Sequence, residues 1–312
     1  MPGQERLTLA VLVARRFYLA NRSKQEIAAE LDLSRFQVAR LLDIARTNGL
    51  VHVEIREPGG IDVELSRQVQ VVFGLRHSIV INPPEEDDAQ LRRYLGKVCA
   101  GLLTDIITAS DVLGIGWARS VLAMRVALSR LAPCSVVQLT GSLMPLGVEE
   151  SSVELVRAIG RMANGPAYYF FAPMIVDDAR TAASLLRQAD IVRATDLFSS
   201  VTKAVVGVGG WKPPHSMLWD AISAQEREEL LSLGAQADVS GVLLDISGTP
   251  IESTISQRII GINAEQLHRI PEVIAIAYGP EKAPAALAAI RGGYVDSLVT
   301  HASFARRLLE IA

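Results

Sequence analysis

SKQEIAAELDLSRFQVARLLDIARTNGLVHVEI, residues 23–55, decides how the chain is organised. Ser23 and Glu26 have the spacing of a capping box, in which the hydroxyl accepts from an orphan helix amide and the carboxylate reaches back. Ile27, Ala28 and Leu31 follow as the apolar side of a short helix. Asp32-Leu33 supplies a turn, and Ser34 caps a third helix whose inward positions are Val38, Leu41, Leu42 and Ala45. Gly49 ends that helix, and Leu50 to Arg56 alternates as the strand of a wing would. Upstream, Leu7 to Leu19 is dense enough in apolar residues for a first helix, which Asn21-Arg22 ends. Two short helices joined by a tight turn make a helix-turn-helix, whose second helix meets base edges while caps and the first helix meet phosphates. Arg35, Gln37 and Arg40 are then expected at base edges or nearby phosphates, and Phe36 at a thymine methyl. Ser34 belongs to the same cap. Ser23 and Lys24 are expected at the phosphates, and Gln25 is a further DNA-contact candidate. A plain three-helix bundle with solvated arginines fits the same spacing.

The charge distribution favours the DNA reading. The whole chain carries −3, which argues against indiscriminate coating of nucleic acid. Residues 1–56 nevertheless hold nine Lys and Arg against six Asp and Glu. A basic module on an acidic body attracts phosphate locally. With 312 residues, 49% of them hydrophobic and 21% charged, the chain can build two domains of unequal size. Apolar runs are too short for a membrane helix, and no signal peptide is read at the N-terminus. Cys99 and Cys134, far apart, are read as buried free thiols of a cytoplasmic protein.

Glu57-Pro58-Gly59-Gly60 is the expected boundary, giving a domain over 1–56 and another over 57–312. Asp62 to Phe73 reads as a helix in the linker. The acidic run Glu85-Glu86-Asp87-Asp88 reads as a solvated loop at a helix N-terminus. From residue 76 onward, strands at 77–81, 111–115, 135–139, 167–171, 204–208, 273–277 and 297–299 alternate with helices at 88–104, 118–131, 149–164, 223–233, 281–291 and 302–311. This is an α/β pattern: a mostly parallel, Rossmann-like sheet with right-handed crossovers and ligands at the carboxyl ends of its strands. Loops expected there include Gly114-Ile115-Gly116-Trp117-Ala118-Arg119-Ser120, which opens a helix, and Gln138-Leu139-Thr140-Gly141-Ser142. Gly207-Val208-Gly209-Gly210-Trp211 and Tyr278-Gly279-Pro280-Glu281-Lys282 are two more. A lysine in the first turn of a helix opposes the macrodipole, and a bound anion would compensate.

Residues 23–55 resemble the winged helix-turn-helix of the SorC family of bacterial sugar-responsive regulators. The resemblance continues through GIGWAR at 114–119, QLTG at 138–141, ADVSGVLLDISG at 237–248, RIIGI at 258–262, VIAIAYGPEKA at 273–283 and AIRGGYVDSLVTHASFA at 289–305. It implies an effector domain related in fold to sugar-phosphate isomerases and deaminases, binding a phosphorylated sugar or polyol. Phosphate is expected near Gly116, Trp117, Ala118, Arg119 and Lys282, and sugar hydroxyls near Gln138 and Asp238, with Gly114, Gly141, Ser142, Gly209 and Gly279 as further effector-binding candidates. Three positions depart from the family pattern: Ala237 and Tyr278 stand where glycine is usual, and His301 where aspartate is usual. His301 is retained as an effector-contact candidate.

The resulting expectation is a DNA-binding transcriptional regulator controlled by a carbohydrate effector, acting as a dimer or tetramer on paired half-sites. No cofactor is expected, and no metal, since the histidines lack ligand spacing. The alternative is a sugar-phosphate isomerase or deaminase with an accessory DNA-binding domain. Asp238, Asp245 and Lys282 would supply its groups, but no sequence pattern pairs them as acid and base.

Overall fold

Three helices build the first of the two units into which the chain divides, Met1–Arg56 and Glu57–Ala312. The structure, a computed structural model, describes residues 3–51, 60–83, 87–143, 150–212 and 216–312. Helix α1 spans Gly3–Tyr18, α2 Lys24–Glu30 and α3 Arg35–Thr47. Both capping boxes form. Ser23 Oγ accepts from the Glu26 amide while Glu26 accepts from the Ser23 amide, and Ser34 and Gln37 repeat the exchange on α3. Asp32, at a φ of 52°, turns the chain between α2 and α3. Ala10, Val13, Ala14, Ile27, Ala28, Val38, Leu41, Leu42 and Ala45 form the buried core of this unit. The wing expected over Leu50–Arg56 lies almost wholly outside the described residues, as do His52, His215 and most of the Pro-Gly boundary.

In the second unit, α4 (Val63–Phe73) leads into β1 (His77–Ile81), α5 (Asp88–Ile106), β2 (Val112–Ile115), α6 (Arg119–Ala127), β3 (Ser135–Gln138), α7 (Ser152–Met162) and β4 (Ala167–Tyr168). There follow α8 (Ala179–Leu185), α9 (Ala189–Thr195), β5 (Lys203–Gly207), β6 (Gly209–Gly210), α10 (Met217–Ala221), α11 (Ala224–Ser232), β7 (Ala237–Val239) and β8 (Val242–Leu244). The chain ends with α12 (Ala264–His268), β9 (Glu272–Ile276), α13 (Ala283–Arg291), β10 (Ser297–His301) and α14 (Ala302–Glu310). Seven strands form one parallel sheet in the order β1-β10-β9-β5-β2-β3-β4.

Both faces of that sheet are covered, so its strands are mostly apolar on both sides. All five residues of β9 and of β10 are buried. Successive side chains point to opposite faces. Ala204 and Val206 enter a core shared with α4, α8, α9, α12, α13 and α14, whereas Val205 joins Leu95, Val121 and Val156 from α5, α6 and α7. α4 is therefore not a free linker: Leu65 and Val69 are buried in the first of these cores. Asp87 caps α5, as the acidic run implied; Glu85 and Glu86 lie outside the described residues.

Beside the main sheet stands a small antiparallel one, β6-β7-β8, which the sequence reading did not anticipate. Its tight turn is Ser240-Gly241, with φ of 53° and 86°. Positive φ at both central residues is the geometry that matches hairpin twist, and glycine adopts it without strain.

Candidate functional site

The direction of winding reverses at β2. Strand β3 lies on one side of it and β5 on the other, so the carboxyl ends of β2 and β5 open a crevice. Ligands in open α/β sheets bind in such crevices. Here it widens into a cavity of about 740 Å³ with its open mouth included.

Trp117, Ala118 and Arg119 bring the start of α6 to this cavity. Ala118 is the cap residue and makes no side-chain cap bond, so the first-turn amides receive nothing from it. The close approach depends on Gly207, where a Cβ would stand 2.6 Å from that of Ala118. Ser120, also in the lining, is held by its hydroxyl to the carbonyl of Ile276 at 3.4 Å.

Lys282 reaches the cavity from a 3-10 turn, Pro280–Lys282, that runs directly into α13. Its Nζ lies 5.1 Å from the centre of the Tyr278 ring, which also lines the cavity. Arg92 of α5 approaches the same ring at 5.8 Å and donates to the Tyr278 hydroxyl at 3.4 Å. Burial pushes the Lys282 ammonium below its ordinary value. Arg119 and Arg92 push it the same way, against Glu281 and Asp88. A cluster of cations beside a helix N-terminus suits an anionic group.

Asp238 of β7 supplies the carboxylate of the cavity. Burial raises its carboxyl to about 6, against hydrogen bonds from the Gly241 amide, at 2.9 Å, and the Ser216 side chain. Gly209 lines the cavity as the register partner of Asp238, and a Cβ there would collide with Ser216. A buried carboxylate can accept from two neighbouring hydroxyls.

Other expected positions stand behind the cavity. Gln138 is fully buried: its amide nitrogen donates to the Thr140 carbonyl at 2.8 Å and Ser152 Oγ at 3.1 Å, and its oxygen accepts from the Phe170 amide at 3.2 Å. It braces β3 and does not line the cavity. Ser142 shares a 2.6 Å hydrogen bond with Ser152, and Gly141 donates its amide to the Ile260 carbonyl. Gly114 and Gly116 pack within the sheet, the latter beneath Val206 and Ser240. His301 is also buried and outside the lining. Its Nε2 accepts from the Gly279 amide at 3.2 Å, which leaves Nδ1 protonated and donating to Ser303 Oγ at 3.0 Å. It thus ties β10 to the loop that carries Lys282. Tyr278, Ser120, Ser240 and Arg92 were not singled out from the sequence as site residues. The Ser-Gly turn after Asp238 was a usable signal for Ser240; Arg92 had none.

In the first unit, Ser23, Gln25, Ser34, Arg35, Phe36, Gln37 and Arg40 are exposed, and Lys24 is half-buried with Nζ 6.0 Å from the Phe17 ring centre. The Ser23 and Ser34 hydroxyls and the Gln37 oxygen are engaged in the capping boxes.

Residues 60–310 match the family described as "Putative sugar-binding domain". Over 303 residues, 94% of this chain and 92% of the relative, the sequence is 30% identical to the uncharacterized transcriptional regulator YjhU of Escherichia coli. The deoxyribonucleoside regulator of Bacillus subtilis is 24% identical over 98% of this chain and 99% of its own. The crystal structure of the full-length sorbitol operon regulator SorC from Klebsiella pneumoniae superposes with a TM-score of 0.74 at 23% identity, covering 97% of this chain and 98% of that one. Two-unit organisation, parallel fold and relatives agree, and the chain belongs to the SorC family of transcriptional regulators, with a sugar-binding domain over residues 60–310.

Proposed function

We propose that this regulator binds operator DNA through its first unit and is switched by a phosphorylated sugar or polyol held in the cavity of its second. One observation carries the reading: a single cavity is lined by Arg119, Lys282 and an uncapped helix start, and also by the buried carboxylate Asp238. The cations and amides suit a phosphate, and the carboxylate suits hydroxyls. Relatives named for sorbitol and deoxyribonucleosides support a carbohydrate effector.

The role is binding rather than catalysis. Asp245, a candidate partner in an acid–base pair, accepts from the amides of Ser247 and Thr249 in its own turn and does not line the cavity. Exposed Arg35 and Arg40 on α3 are assigned to base edges, and Ser23 and Lys24 to phosphates. The protein acts in the cytoplasm as a homo-oligomer on paired half-sites.

A thermal-shift panel of sugars, polyols and their phosphates identifies the ligand, because a molecule bound only by the folded state raises its melting temperature. Calorimetry on the full-length chain then compares the phosphorylated and free forms. Lys282→Ala weakens the phosphorylated form far more than the free form, whereas Asp238→Ala weakens both alike. Equal affinity of the native protein for the two forms would contradict the phosphate assignment.

A further inference from the structure

Phe36 is 88% exposed, more than any other large apolar side chain among the described residues. It is the second residue of α3, and it cannot turn inward. Val38, Leu41, Leu42 and Ala45 form the buried stripe of that helix. Phe36, Arg40, Asp43 and Thr47 follow the helical repeat along the opposite side. An apolar ring left in water there forgoes the stabilisation that burial gives. Its neighbours indicate what covers it: Arg35 beside it and Arg40 one turn on are exposed cations, a setting complementary to duplex DNA. In the major groove, base edges present polar donors and acceptors, and thymine adds an apolar group, its 5-methyl.

We propose that Phe36 reads thymine through that methyl group, once per half-site, and so helps to determine operator sequence. The proposal rests on the first unit being the DNA-binding one. Its neighbours divide the work: Arg35 and Arg40 meet polar base edges or phosphates, and Phe36 covers the methyl.

The test uses the full-length protein and an operator duplex selected from a random-sequence pool. Each thymine of the site is replaced in turn by deoxyuridine, which removes the methyl and leaves every hydrogen-bonding group. One replacement per half-site is expected to weaken wild-type binding about fourfold. The same replacement leaves Phe36→Ala unaffected, and Phe36→Leu responds to an intermediate degree. Melting temperature and sedimentation are unchanged in both variants, because the ring lies outside the core. The proposal is overturned if no thymine shows a methyl dependence in the wild type, or if the same dependence persists in Phe36→Ala. It is also overturned if Phe36→Ala dissociates the oligomer, since a second copy would then be the partner. If Arg35→Ala and Arg40→Ala also bind the selected duplex like the wild type, the DNA-binding assignment itself fails, which is a separate result.

Discussion

Asp238 concentrates the site's chemistry in one side chain. Its carboxyl holds a proton up to about pH 6 in the folded chain, against an ordinary value of 3.8. Between those values the folded state binds more protons than the unfolded state, so stability falls as pH rises through the window. At neutral pH the loss is at most about 3 kcal/mol. Asp238→Asn keeps an oxygen for the Gly241 amide and removes the titration. Thermal melts should therefore show the variant gaining on the wild type between pH 4 and pH 7; a constant difference across that range would contradict the burial argument. Gln138 and His301 teach the opposite lesson. Both lie in family motifs near the strand ends, yet each is buried and engaged by neighbouring backbone and hydroxyl groups. Sequence offsets place a residue near a crevice but do not say which way its side chain turns.

Elements differ in how plainly the sequence announces them. The seven parallel strands were legible because buried, β-branched runs were set apart by long amphipathic helices, although β4 stops at Tyr168 and β10 continues to His301. Helices α8, α9, α10 and α12 were not, because five to seven residues hold too few apolar positions to show a helical repeat. The β6-β7-β8 sheet escaped for a similar reason: strands of two or three residues, almost wholly buried, have no alternation to read. Two element-scale predictions follow from the geometry. Gly207→Ala sets a methyl against Ala118, so it should cost about 1–3 kcal/mol in chemical denaturation and weaken effector binding by displacing the start of α6. Unchanged denaturation and effector affinity would show the approach to be unimportant. Ser34→Ala removes the hydroxyl that caps α3 and should cost about 1 kcal/mol. That loss should appear in the melting of the first unit, leaving the effector titration as it is in the wild type.

At the scale of the whole molecule, a small basic unit and a larger ligand-binding unit have to influence one another. A single helix-turn-helix covers too few base pairs for useful specificity, so paired copies are expected on DNA. Outward-facing Val71 and Val72 of α4, 71% and 51% exposed, are candidate contacts between copies. Changing both to Asp should lower the sedimenting mass; an unchanged assembly would exclude this face. Coupling between effector and operator is reciprocal: if the effector changes operator affinity by a given factor, operator DNA changes effector affinity by the same factor. The most direct measurement is fluorescence anisotropy of a labelled operator duplex, titrated with the full-length protein at increasing concentrations of the sugar or polyol phosphate proposed as effector. A saturable change in operator affinity is predicted, lost in Lys282→Ala at concentrations that saturate the wild type. Operator affinity that stays constant while calorimetry shows the effector bound would contradict the account.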